Sequence, residues 1–187
     1  MRLFFVRHGK PKILNNEFYE ARLSDEGAKR ARQLARSGSV PRPDSVFSSP
    51  YKRARDTASE FCAVFGLGLE VREFLREWNL QSLNLPDPEY SLETQRGWED
   101  RELRVQGGES LREVQERAYE GTMQIASSSA AESILFVSHG TLIEMLCARV
   151  GRRQPLQRNV EDMDFLAWAA FEFKDGALKL TKDASAT

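Results

Sequence analysis

Short apolar runs alternate with stretches of helical period along this chain. Leu3 to Val6 is apolar and ends at Arg7-His8-Gly9, the pattern of a buried strand entering a tight turn. Ser24-Asp25-Glu26-Gly27 opens a helix, with Ser24 as N-cap and two acids suiting the positive end of the dipole. Ala28, Ala31, Leu34 and Ala35 form its apolar stripe. Val40 to Pro43 interrupts the period, and Ser45 to Ser48 reads as a second strand. Ser49 as N-cap and Pro50 at the first helical position predict another helix, burying Ala54, Thr57, Ala58, Phe61, Cys62 and Phe65 and stopping at Gly66. Leu69 to Leu75 reads as a third strand.

From about Trp78 to Gly108 the pattern is irregular, with Pro86, Pro88 and mixed charges, and predicts a partly helical insertion. Leu111, Val114, Ala118, Thr122 and Ile125 then share one helical face, which ends at Ser127-Ser128-Ser129. Ser133 to Val137 is a fourth strand, running into Ser138-His139-Gly140. A strongly apolar helix follows (Leu142, Ile143, Leu146, Cys147, Val150), stopped by Gly151. Phe165 to Phe173 and Ala177 to Leu180 flank Lys174-Asp175-Gly176, a hairpin signal.

This alternation predicts an α/β fold, a three-layer α/β/α sandwich around a mainly parallel sheet with a C-terminal antiparallel hairpin. We expect one domain over 1–182, with the insertion at about 78–108 and a frayed tail at 183–187.

Composition narrows the function classes. A formal net charge of -1 gives no global attraction to nucleic acid or to an anionic membrane, so neither is expected as a partner. The apolar N-terminal run is too short for a signal or spanning segment, and a cytoplasmic setting is expected. Cys62 and Cys147 fall on apolar helix faces and read as buried small hydrophobes. No His/Cys/Asp cluster has ligand spacing, so no metal or other cofactor is expected.

Chemistry concentrates at strand ends. The chain has two histidines, each at the end of an apolar strand and each followed by glycine: Phe4-Phe5-Val6-Arg7-His8-Gly9 and Leu135-Phe136-Val137-Ser138-His139-Gly140. If those strands are parallel neighbours, the imidazoles meet at the carboxyl end of the sheet, where ligands of such folds bind. Arg7 adjoins the site, and Arg53, in the first turn of its helix, leans back toward it. Two arginines and two imidazoles beside helix N-termini can hold a tetrahedral oxyanion. Gly140 lets an anion approach backbone N–H groups.

These residues resemble the histidine phosphatase superfamily, which includes the phosphoglycerate mutases. The likeness runs through Arg7-His8-Gly9, Leu23 to Gly27, Ser48-Ser49-Pro50 with Arg53-Ala54 and Thr57-Ala58, Gly108-Glu109-Ser110, and Ser138-His139-Gly140. It implies that His8 attacks phosphorus to become a phosphohistidine, while Arg7, Arg53 and His139 hold the transferring oxygens. It also implies an acid after the third strand, for which Glu77 is the candidate. Glu73 would lie within that strand, and Glu109 in the opening turn of a helix.

The likeness is incomplete at residues 10–16, so Asn15 and Asn16 receive no role. Lys10, Lys12 and Arg22 could ring the mouth and meet a second anionic group, and Trp78 and Trp98 either wall a pocket or pack between insertion and core. The moderate insertion favours a phosphatase of small phosphorylated metabolites. A phosphoglycerate-mutase-like phosphotransferase and a non-catalytic phospho-ligand-binding protein are the alternatives. Oligomeric state and natural substrate are left open.

Overall fold

The computed structural model describes residues 1–12, 21–79 and 87–185. In chain order the elements are β1 (Arg2–Arg7), β2 (Pro11–Lys12), β3 (Arg22–Leu23), α1 (Asp25–Ser37), β4 (Ser45–Ser48), α2 (Lys52–Phe65) and β5 (Leu69–Val71). Then come α3 (Asp87–Glu99), α4 (Leu111–Ser128), β6 (Ser133–Ser138), α5 (Gly140–Val150), α6 (Gln157–Glu161), β7 (Trp168–Lys174) and β8 (Ala177–Lys182).

The main sheet runs β5-β4-β6-β1-β7-β8. The β5, β4, β6 and β1 strands are parallel, while β7 pairs antiparallel with β1 and with β8. Successive side chains of β1 and β6 feed opposite layers, as the pleat requires. Leu3, Phe5, Ile134 and Phe136 pack with α4 and α5, and Phe4, Val6, Leu135 and Val137 pack with α1 and α2. Two apolar layers on one sheet are the expected sandwich. Asp175 and Gly176 take positive φ at the hairpin, as its sequence predicts.

The departures have local causes. The third strand stops at Val71 because its partner β4 ends at Ser48, whose carbonyl accepts from Arg72 N (2.9 Å). Residues Glu73–Leu75 instead form a 3-10 turn that drives Leu75 into the core, so Glu73 is not in a strand. Helix α2 begins at Lys52, after Tyr51, whose N–H donates to the Ser49 hydroxyl (3.3 Å), the same hydroxyl that meets His139. Strand β7 starts at Trp168, after Leu166 takes positive φ (69°). Helix α6 has no counterpart in the sequence reading.

Ser110, with Glu113, makes a capping box on α4, which leaves Glu109 just outside the helix rather than in its first turn. Cys147 is buried, but Cys62 is only half-buried. The tail is docked, not frayed, as far as Ser185. Asp183 pairs with Arg153 (2.9 Å) and Ala184 is buried; residues 186–187 lie outside the described residues. Of the expected insertion, α3 is helical and residues 80–86 lie outside the described residues.

Candidate active site

Strands β1 and β6 lie side by side with Arg7 opposite Ser138, so His8 and His139 leave the sheet together. His8 N donates to the Ser138 carbonyl (2.9 Å), and the ring centroids are 5.1 Å apart. The repeated strand–His–Gly pattern thus converges in space.

The bonding of His8 fixes its tautomer. Nδ1 lies 2.8 Å from the carbonyl oxygen of Gly9, which can only accept, so Nδ1 carries the proton. Nε2 keeps its lone pair and accepts from Arg53 Nε at 3.1 Å. Gly9 is held in turn: its N–H donates to Thr57 Oγ1 (3.0 Å), which donates to the Arg53 carbonyl (2.7 Å). Burial, and then the Arg53 charge, push the His8 pKa down to about 3 against the opposing Gly9 bond, so the ring is neutral near pH 7.

His139 is fully buried. Its Nε2 shares a proton with Ser49 Oγ at 2.7 Å, and its Nδ1 has no partner among the described residues. Burial, then His8 and Arg53, hold its pKa well below the ordinary imidazole value.

Arg7 donates from Nη1 to the carbonyls of Val160 (3.3 Å) and Met163, and its guanidinium lies 4.8 Å from the Phe165 ring centroid. Its Nε is buried and without a partner among the described residues. Gly140 packs beside it: a Cβ there would press on Val160 Cγ1 (3.1 Å) and meet Arg7 Cζ and Nε at ordinary contact (3.4 Å). Burial lowers the Arg7 pKa, while Glu77 and Asp164 oppose the shift. Arg53 reaches in from the first turn of α2, with its guanidinium 5.0 Å from the Tyr51 ring centroid.

Glu77 faces this group from the other side. Oε1 accepts from Trp78 N (2.9 Å) and Oε2 from Thr141 N in the first turn of α5 (3.4 Å). Behind it, Arg117 binds both oxygens of Glu109, through Nε (2.6 Å) and Nη2 (2.9 Å). Its remaining donors hold the carbonyls of Phe74 (2.7 Å), Arg76 (2.9 Å) and Glu77 (3.2 Å). Trp78 Nε1 donates to the Glu109 carbonyl (2.6 Å). Glu109 is therefore part of a brace that fixes the segment carrying Glu77.

Lys10 and Arg22 are exposed. The Lys10 carbonyl is bound by Ser24 N and Oγ (both 3.0 Å), and Arg22 stands opposite Lys12 where β3 pairs with β2. Asn15 and Asn16 lie outside the described residues. Trp78 is buried against Gly97, where a Cβ would lie 2.5 Å from its Cη2, and Trp98 meets it edge-on with centroids 6.5 Å apart. Both of the alternatives for these tryptophans apply, because both also line a cleft of about 210 Å³ beside Glu77.

Sequence reasoning missed Ser49, Phe165 and Arg117, and read Thr57 as simple core. Only Ser49 and Thr57 had a signal, in the Ser48-Ser49-Pro50…Thr57 motif. Among the described residues, no three His, Cys, Asp or Glu side chains gather so as to hold a metal ion, and no helix is long and apolar enough to cross a membrane.

The model of the histidine phosphatase superfamily (branch 1) matches residues 3–183. The chain belongs to this superfamily. A protein of Hydrogenobacter thermophilus provisionally named phosphoserine phosphatase 2 is 28% identical over 168 residues, covering 78% of this chain and 82% of its own. A metal-independent phosphoserine phosphatase of Arabidopsis thaliana is 30% identical over 145 residues, 70% of this chain but 59% of that longer protein. Among solved structures, Bacillus stearothermophilus YhfR superposes with a TM-score of 0.82 at 21% identity, covering 100% of this chain and 98% of that one. The family and these relatives make the chain a phosphoric monoester hydrolase of the histidine phosphatase type.

Proposed function

We propose that this histidine phosphatase hydrolyses the phosphomonoester of a small metabolite through a phosphohistidine on His8, without a metal ion. The observation that carries the reading is the locked tautomer of His8, with Nδ1 donating to Gly9 and an Nε2 lone pair facing Arg53. An imidazole attacks only through an unprotonated nitrogen, and here burial keeps that nitrogen unprotonated without a separate base.

In the first step Nε2 attacks phosphorus, the bond to the ester oxygen breaks, and the Glu77 carboxyl gives that oxygen its proton. In the second, water attacks the phosphohistidine, Glu77 takes the water proton, and the N–P electron pair returns to Nε2 as phosphate leaves. Arg7, Arg53, His139 and the N–H of Gly140 hold the phosphoryl oxygens. Phosphoryl transfer has a loose transition state, so fixed positive charge around the oxygens supplies much of the catalysis.

Rapid quenching with labelled phosphomonoester tests the reading. An acid-labile adduct is expected on the His8 peptide, and activity is expected to survive EDTA. An adduct on another side chain would overturn it. Phosphoserine belongs in the first substrate panel because two relatives carry its name. With 3-phosphoglycerate and a bisphosphoglycerate primer, release of phosphate is expected rather than isomerisation.

A further inference from the structure

The cleft beside Glu77 differs in charge from the rest of the site. Its walls include the indoles of Trp78 and Trp98, Thr141 at the start of α5, and Gln157 and Glu161 of α6. Gln157 Nε2 donates to Glu161 Oε1 (2.9 Å), which turns the two side chains into one acceptor-rich edge. No Lys or Arg is among the described residues lining this cleft. Arg96, on α3, is bound by Glu93 (2.7 Å) and does not line it.

The segments outside the described residues, 13–20 and 80–86, contain no Lys or Arg in their sequence, and neither does 87–91. Lys10, Lys12 and Arg22 do not line it either. The site thus has a cationic half, with Arg7 and Arg53 at the strand ends, and an anionic, aromatic half where the ester's alcohol would lie.

A carboxylate or second phosphate on that alcohol would meet Glu161 with no Lys or Arg among the described lining residues to offset it. An ammonium group would meet a carboxylate and two indoles, both of which favour a cation. Glu77 must be protonated when it acts as an acid, so Glu161 is the standing charge of this half. We propose that the substrate is the phosphomonoester of an amino alcohol that carries no carboxylate, its ammonium group held in the cleft by Glu161 and the tryptophans. This rests on the reading of His8 and Glu77 as phosphatase residues.

The test compares kcat/KM for phosphoethanolamine, ethyl phosphate, phosphoserine and 2-phosphoglycolate. Ethyl phosphate lacks the ammonium, phosphoserine adds a carboxylate, and phosphoglycolate puts a carboxylate in place of the ammonium. Phosphoethanolamine is expected to lead, by about tenfold over phosphoglycolate. Glu161→Lys is expected to reverse the order of those two. Equal rates for phosphoethanolamine and ethyl phosphate, a preference for phosphoserine or phosphoglycolate, or an unchanged ratio in Glu161→Lys would each overturn the proposal. If folded protein hydrolyses none of these esters, nor p-nitrophenyl phosphate, and forms no phospho-adduct, the phosphatase mechanism itself falls and takes this inference with it.

Discussion

The strand-end side of the site and its Glu77 side are built in opposite ways. His8 and His139 stand at the ends of neighbouring parallel strands, so the sheet's own register sets their separation. Glu77 follows a 3-10 turn outside the sheet, and a guanidinium from a distant helix holds its backbone. The first arrangement is rigid because breaking it means breaking the sheet. The second depends on a few side-chain bonds, so it is the part of the site that single substitutions can retune.

The largest break in that comparison is removal of His8, the proposed nucleophile. His8→Ala is expected to lower turnover at least about a thousandfold for every ester, read by steady-state phosphate release. Glu77→Gln sharpens the contrast, because it removes only the proposed proton transfer. Hydrolysis of alkyl phosphates should fall by about 10²-fold or more, and that of p-nitrophenyl phosphate far less, since a phenolate leaves unaided. Equal losses on both would assign the proton to another group.

Arg117→Lys keeps the charge but cannot span Glu109 and three carbonyls at once. If the brace positions Glu77, the variant loses about tenfold on alkyl esters and little on aryl ones. A merely destabilised fold would lower both together. A selective loss in Glu77→Gln without one in Arg117→Lys would show that the brace serves stability alone.

The pH dependence of stability probes the strand-end side. His8 has a folded pKa of about 3 against an unfolded value near 6.5, so between them the unfolded chain binds the extra proton. Stability should be complete above about pH 6.5 and fall with acid by about 1.4 kcal/mol per pH unit for this residue. His139, also depressed, steepens the fall. Urea titrations from pH 7 to pH 4 should show a shallower slope in His8→Gln than in the parent; identical slopes would mean that His8 charges freely in the fold.

What was legible follows from how local each signal is. A strand ending in His-Gly, a Ser N-cap such as Ser24, and the turn at Asp175-Gly176 depend on adjacent residues, and the structure has them as read. The end of the third strand was not legible, because it is set by where β4 runs out at Ser48. Glu109's position was legible but overlooked: Ser110-Leu111-Arg112-Glu113 has the spacing of a capping box, which starts the helix after Glu109. Phe165 and Arg117 reach the site from other elements, and nothing near them in sequence marks it.

By itself the sequence determined the alternation of strands and helices and the repeated strand–His–Gly ends, while the pairing of β1 with β6 that joins the two imidazoles belongs to the fold. The alternation and the strand ends are effects of periodicity and backbone geometry, fixed over a few residues. The tertiary structure alone decided the bracing of Glu77 and the sign of charge in the cleft. Those depend on which distant carbonyls, guanidinium groups and carboxylates come within hydrogen-bonding distance once the layers have packed.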